Sequence, residues 1–195
     1  MSGFFCYPHR RKETQMRFRN LAIIVLASVL SSCNSAPAPD PAKAPVAPVS
    51  EAHGNLAQVM RAIMFPNSNV IFFVQSNDPT KVKPSSDPAS ATDILASTYG
   101  GWDAVENSSL ALMEAANLLM VPGRKCSNGK DVPIQNADWG KFVQQLRDAG
   151  MVAYKAAQSK NQDNILAAAD TLTTACGGCH ENYRDKPGGN PNRCM

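Results

Sequence analysis

The sequence predicts an all-α fold, an up-and-down antiparallel four-helix bundle. Three observations carry that expectation. Four runs between residues 53 and 183 repeat apolar side chains at helical spacing. Only a few residues separate the third run from the fourth, which makes those two antiparallel neighbours. No stretch of useful length alternates apolar and polar residues as a half-buried strand does.

The chain opens on what reads as an address. Leu21 to Leu30 (LAIIVLASVL) is an apolar run preceded by Arg17 and Arg19. It is too short to span a bilayer, which takes about 20 residues. A basic region, a short apolar core and small residues before the cut predict a secretory signal peptide over residues 1–32. Leu30-Ser31-Ser32-Cys33 resembles the lipobox of bacterial lipoproteins, and by that resemblance Cys33 becomes the lipidated first residue of the mature chain. Asn34, rather than Asp, follows it and tilts the expectation toward the outer membrane. Met16 makes a more typical start, which leaves residues 1–15, with Cys6 and His9, as an over-long start or an extended basic region. Residues 33–51 are rich in Pro and Ala. Proline fixes φ and lacks an amide hydrogen, so this stretch favours extended polyproline II and reads as a semi-rigid tether to a domain over 52–195.

Processing changes the charge. The chain carries 19 Lys and Arg against 16 Asp and Glu, a net +3. Residues 1–32 hold Arg10, Arg11, Lys12, Arg17 and Arg19 against Glu13 alone. Removing them leaves 14 bases and 15 acids, so the basic character belongs to the leader and gives no argument for nucleic-acid binding.

Leu56, Val59, Met60, Ile63 and Met64 lie on one face of a first helix starting near His53. Pro66 interrupts it, because proline removes an amide donor and crowds the preceding turn. The pattern resumes through Val70, Ile71, Phe72 and Val74, as one kinked helix or two pieces ending at Asn77-Asp78-Pro79. Residues 78–92, rich in Pro, Ser, Lys and Asp, form a loop. A second helix starts at Ile94 or Trp102, carries Trp102, Val105, Ser109, Leu112, Met113, Ala116, Leu119 and Met120, and stops at Val121-Pro122-Gly123. A third opens on the capping cluster Asn136 to Asp138 and buries Trp139, Phe142, Val143, Leu146, Gly150 and Ala153 before ending near Ser159. A fourth, from about Gln162 to Tyr183, aligns Ile165, Ala169, Leu172, Cys176, Cys179 and Tyr183. Pro187 and the two glycines after it close it.

Within that last helix stands Cys176-Gly177-Gly178-Cys179-His180. The C-x-x-C-H spacing is the pattern for covalent attachment of one c-type haem. Two thiols three residues apart reach the two vinyl groups of one porphyrin, and the adjacent His180 is placed to coordinate the iron from the proximal side. The two glycines leave room for the macrocycle edge. Three other readings are weaker. A thioredoxin-like C-x-x-C opens a helix after a strand, and no strand pattern precedes this one. A structural zinc site needs four ligands, and no second ligand pair is present. A plain disulfide between Cys176 and Cys179 leaves His180 unexplained. Cys126 and Cys194 remain over, and an oxidising compartment permits a disulfide between them without requiring it.

Cys176, Cys179, His180, Tyr183 and Arg184, read as CGGCHENYR at the end of the last of four helices, resemble the class II cytochromes c, the cytochrome c-prime and cytochrome c-556 family. The resemblance covers about residues 53–185, with the first three helices matching only in pattern. It implies a four-helix bundle with haem near the C-terminal end of the fourth helix, and Arg184 beside the haem edge, helping to neutralise a propionate. It further implies that the first helix supplies the distal residue. Met60 is the favoured candidate distal iron ligand and Met64 the runner-up, although methionines at helical spacing also serve as core filler. Met113, Met120 and Met151 are expected in the core and His53 on the surface. Pro66 and the 78–92 loop depart from the family pattern and leave the choice of ligand open. Family members often dimerise through their first two helices, but no exposed stripe argues for a homodimer here.

The expected function is that of a periplasmic, lipid-anchored monohaem c-type cytochrome that carries single electrons between redox partner proteins and is not an enzyme. A thioether ligand raises the reduction potential and suits electron transfer. A five-coordinate gas-binding protein of the cytochrome c-prime kind is the alternative. A peroxidase-like activity is weaker, because helix one offers only Arg61 as a polar distal group, one residue off the Met60 face.

Overall fold

The computed structural model describes residues 51–195. The signal peptide over residues 1–32, Cys33 and all but the last residue of the 33–51 tether lie outside the described residues. The described residues are mostly helical and contain no strand; four helices pack together as an all-α bundle. No helix among them is long and apolar enough to cross a membrane.

The first helix is one continuous run in three parts: an α-helical turn Leu56–Val59, a π-helical turn Met60–Met64 and an α-helix Phe65–Phe73. It starts later than the apolar pattern alone suggests, because Asn55 caps it. The Asn55 side chain accepts from the Gln58 amide while the Gln58 side chain accepts from the Asn55 amide, at 2.9 and 2.8 Å. Pro66 does not break the run. It has no amide to give to the carbonyl of Ala62, four residues back, and its ring crowds that carbonyl. The turn before it widens instead, and the Phe65 amide closes on the Met60 carbonyl five residues earlier. The helix ends by Val74, short of the Asn77-Asp78-Pro79 expected.

Residues 78–92 and the stretch after them hold only short 3-10 turns, Ile94–Ala96 among them, so the second helix begins at Gly101 and not at Ile94. It runs Gly101–Ala115 and tightens into a 3-10 segment Ala116–Met120. The third helix is Ala137–Gln158 and the fourth Gln162–Tyr183. Asn136 sits at the N-cap of the third without a side-chain capping bond. Its amide group turns to the Tyr183 hydroxyl at 3.3 Å.

The third helix packs closely on the second and on the fourth, and the core gathers Val105, Leu112, Trp139, Ala153, Ile165 and Leu172, each 1% exposed or less. Met151 faces solvent at 37% exposure, so it is not the core methionine expected. It lies one position past Gly150, the residue that meets the second helix. A Cβ on Gly150 would stand 3.1 Å from the Met113 backbone, whereas one on Gly140 in the same helix would touch nothing. Alanine gains about 1 kcal/mol of helix propensity over glycine, but overpacking costs about 1–3 kcal/mol. Gly140→Ala is therefore expected to raise stability by about 0.5–1 kcal/mol, and Gly150→Ala to lower it by about 1 kcal/mol. Urea unfolding of the two variants checks the opposite signs; a stabilised Gly150→Ala would mean that the two helices can part.

Arg124, 5% exposed, fixes where the first helix enters. Its guanidinium donates to the carbonyls of Leu118 (3.0 Å) and Gly54, and the Leu56 amide donates to the Lys125 carbonyl at 2.8 Å. At its other end, the Val74 carbonyl accepts from the Gln162 side chain at the start of the fourth helix. Between these fixed points the first and fourth helices barely touch, and the space left between them is the site.

Candidate functional site

A cavity of about 990 Å3 opens between the first and fourth helices. That is the upper end of the range for cofactor pockets, about 300–1,000 Å3. Leu56, Met60, Met64, Phe65 and Phe72 of the first helix line it, with Leu112 and Leu119 of the second, and Trp139, Phe142, Val143 and Leu146 of the third. The fourth helix contributes Thr173, Ala175, Cys176, Gly177, Cys179, His180 and Tyr183. Cys176, Cys179 and His180 thus share one cavity with Met60 and Met64. His53 is exposed and does not line it.

The local geometry explains how the motif is held. Leu172, fully buried, and Ala175 root the helix in the core just before Cys176. Tyr183, one turn after Cys179, is 6% exposed and stacks edge-on against Trp139 and Phe142, with ring centroids 4.9 and 6.2 Å apart. Its hydroxyl donates to the Asp138 carboxylate at 2.6 Å. That bond holds the Asp138 carboxyl below its usual range, while burial first and Asp138 second raise the Tyr183 phenol. The two glycines divide the labour. A Cβ on Gly178 would meet the Phe142 ring at 3.2 Å, so Gly178 permits the third helix to approach. A Cβ on Gly177 would meet nothing, and Gly177 lines the cavity beside the thiols.

The electrostatics of the three motif side chains discriminate between chemistries. Burial pushes the Cys176 thiol up; burial, then Cys176 and Asp138, push the Cys179 thiol up to about 11. Thiol–disulfide oxidoreductases need the opposite, a thiol lowered toward neutrality. Burial, then the Arg184 charge, lowers His180, so its imidazole is neutral at neutral pH and a ring-nitrogen lone pair is free to coordinate. Among the described residues, no three His, Cys, Asp or Glu side chains converge to hold a metal ion by themselves. The residues present fit a haem. Two protonated thiols and a neutral imidazole share an apolar cavity, with an open backbone at Gly177 and two thioethers on the first-helix side.

The placement of Arg61 differs from expectation, and those of Arg184 and of Cys126 with Cys194 add to it. Arg184 does lie at the cavity rim, but its guanidinium is already engaged with the adjacent Asp185 through two bonds of 2.7 and 2.8 Å. Arg61 lines the cavity instead of pointing away from it, since a π-helical turn advances less per residue than the 100° of an α-helix. Cys126 and Cys194 form a disulfide, with Cα atoms 6.6 Å apart. That bond brings the chain's last residues back over the bundle, so Ser127, Arg193 and both half-cystines line the cavity as well. No helical periodicity marks the tail, and the pair of leftover cysteines is the one sequence signal that could have drawn attention to Arg193.

No model of a protein family, no curated protein and no solved structure matches the chain.

Proposed function

We propose that the chain is a monohaem c-type cytochrome of the class II kind, an exported and membrane-tethered carrier of single electrons. The observation that supports this most is that one apolar cavity gathers the whole C-x-x-C-H set together with Met60 and Met64. Cys176 and Cys179 would each form a thioether to the porphyrin, and neutral His180 would be the proximal iron ligand. Haem held there supplies one-electron exchange between Fe(III) and Fe(II). The chain's own residues keep that centre in low dielectric and hold the fourth helix rigid through Tyr183, Trp139 and Asp138. In this reading the bundle is up-and-down and antiparallel, Cys33 carries lipid, and the 33–51 tether keeps the protein at the bacterial membrane within the periplasm. Its partners are redox proteins.

A second reading, gas binding at five-coordinate iron, has one observation in its favour. Met64 is only 7% exposed and belongs to the hydrophobic core, a place it can hold without touching iron. Met60 is half-buried and less committed to packing. The absorption spectrum of the haem-loaded protein, ferric and ferrous, with and without carbon monoxide, separates the two. The expected result is a low-spin spectrum with a sulfur-to-iron band, little changed by carbon monoxide. Met60→Ala is expected to abolish that band and Met64→Ala to leave it. A high-spin spectrum that shifts at once with carbon monoxide would transfer the function to gas binding.

A further inference from the structure

The charged side chains lining the cavity are Arg61, Arg184, Arg193 and Asp185, with His180 neutral. Arg184 and Asp185 neutralise one another across their paired bonds. Two guanidinium groups are left. Arg61 lines the cavity but is exposed, and none of its donors is buried without a partner. Arg193 is different: its Nε is shielded from solvent and has no hydrogen-bond partner. Leaving a buried donor unmade costs about 1–3 kcal/mol, and more when it is charged, so a fold that keeps one beside a cavity has a use for an acceptor there.

The tail holding Arg193 is itself built to stay in place. Cys194 is bonded to Cys126, and the Cys194 amide donates to the Tyr183 carbonyl at 2.9 Å. The Asn128 side chain donates to the carbonyls of Asn190 (3.0 Å) and Arg193 (3.0 Å), and Ser127 donates to the Asn190 side chain at 2.6 Å. Arg193 is therefore a fixed cation at the cavity wall, flanked by the residues that fix it.

We propose that Arg193 is the side chain that grips a carboxylate of the group bound in the cavity, and that the Cys126–Cys194 disulfide serves to hold it there. The proposal rests on the haem reading, in which that carboxylate is a propionate. A guanidinium suits the task, because it stays charged and its planar donors match the two oxygens of a carboxylate. Its charge beside the propionate favours the ionised carboxylate and disfavours the oxidised, more positive iron.

The experiment uses the full, haem-loaded chain and follows the midpoint potential from pH 5 to pH 9 in wild type, Arg193→Gln, Arg193→Lys and Cys194→Ser, with circular dichroism to check the helices. The expected result is that Arg193→Gln lowers the potential and moves the inflection of the potential–pH curve upward by about one pH unit. Arg193→Lys should keep most of the wild-type behaviour, and Cys194→Ser should follow Arg193→Gln in part. Covalent haem in all four proteins with unchanged potentials in Arg193→Gln overturns the assignment and leaves the cytochrome reading standing. A wild-type potential in Cys194→Ser overturns the tethering role alone. A wild-type chain without covalent haem overturns both readings together.

Discussion

Replacing Cys176 and Cys179 together by alanine is expected to give a protein that carries no pigment through a denaturing gel and has lost its fixed tertiary packing. The first half follows from the proposed haem attachment: without the thiols, no bond would tie haem to the fourth helix. The second half follows from the cavity. Its lining is mostly apolar and its volume is about 990 Å3. Left empty, the cavity keeps Met60, Phe65, Phe72 and Phe142 against water, and each apolar side chain whose burial is not completed forgoes up to about 1.5–3 kcal/mol. A whole domain is stable by about 5–15 kcal/mol. The packing drawn by Leu112, Val143, Leu146 and Tyr183 around that space therefore depends on a group that fills it. The double variant, grown under conditions that mature c-type haem in the wild type, should keep far-ultraviolet dichroism and lose near-ultraviolet dichroism and a cooperative thermal transition. A colourless variant with wild-type near-ultraviolet dichroism and melting would mean that the bundle closes on its own, and the cavity would not be a cofactor site.

Much of this was legible in the sequence, for reasons that also set the limit. The four stripes are local: residues three and four apart share a helix face whatever surrounds them, so Trp102–Met120 and Ile165–Tyr183 announce themselves. The C-x-x-C-H spacing is local too, and it singles out Cys176, Cys179 and His180 as candidates before any fold is known. What pattern cannot give is anything that depends on two distant segments or on a broken helical period. The widened turn at Met60–Met64 arises because Pro66 withholds one hydrogen bond. It changes which side chains face inward, and a regular 100° step puts Arg61 off the cavity that it lines. Residue type does not decide facing either: Met151 is exposed, and its neighbour Gly150 is the residue that meets Met113. Arg184 satisfied its charge on Asp185 next door, an option that resemblance to a family does not reveal. Arg193 was invisible because its position is decided by a cysteine 68 residues upstream of its neighbour.

Removing that disulfide is expected to have the second large effect. The bond closes a loop with a sequence separation of 68. On the chain-entropy scale, a loop of that length in the unfolded chain is worth about 4 kcal/mol at 25 °C. Part of it is independent of the folded contacts, which is why the tail's hydrogen bonds through Asn128 and Ser127 cannot replace it. Cys126→Ala with Cys194→Ala, in the haem-loaded protein, should therefore melt about 10 °C lower. Reduction of the wild type should reproduce the loss. The helices themselves should be untouched, because their stripes, with Trp139, Ile165 and Leu172 each 1% exposed or less, are held by core packing and not by the disulfide. The distinction matters for the site. A drop in melting temperature with an unchanged absorption spectrum would mean that the tail stabilises the bundle and positions Arg193 without shaping the iron's axial ligands. A changed spectrum would mean that the tail also holds the first helix over the cavity, through Lys125 and Arg124 at its entry. An unchanged melting temperature would rule out the disulfide as a restraint, since no compensating contact among the described residues is large enough to hide a loss of about 4 kcal/mol.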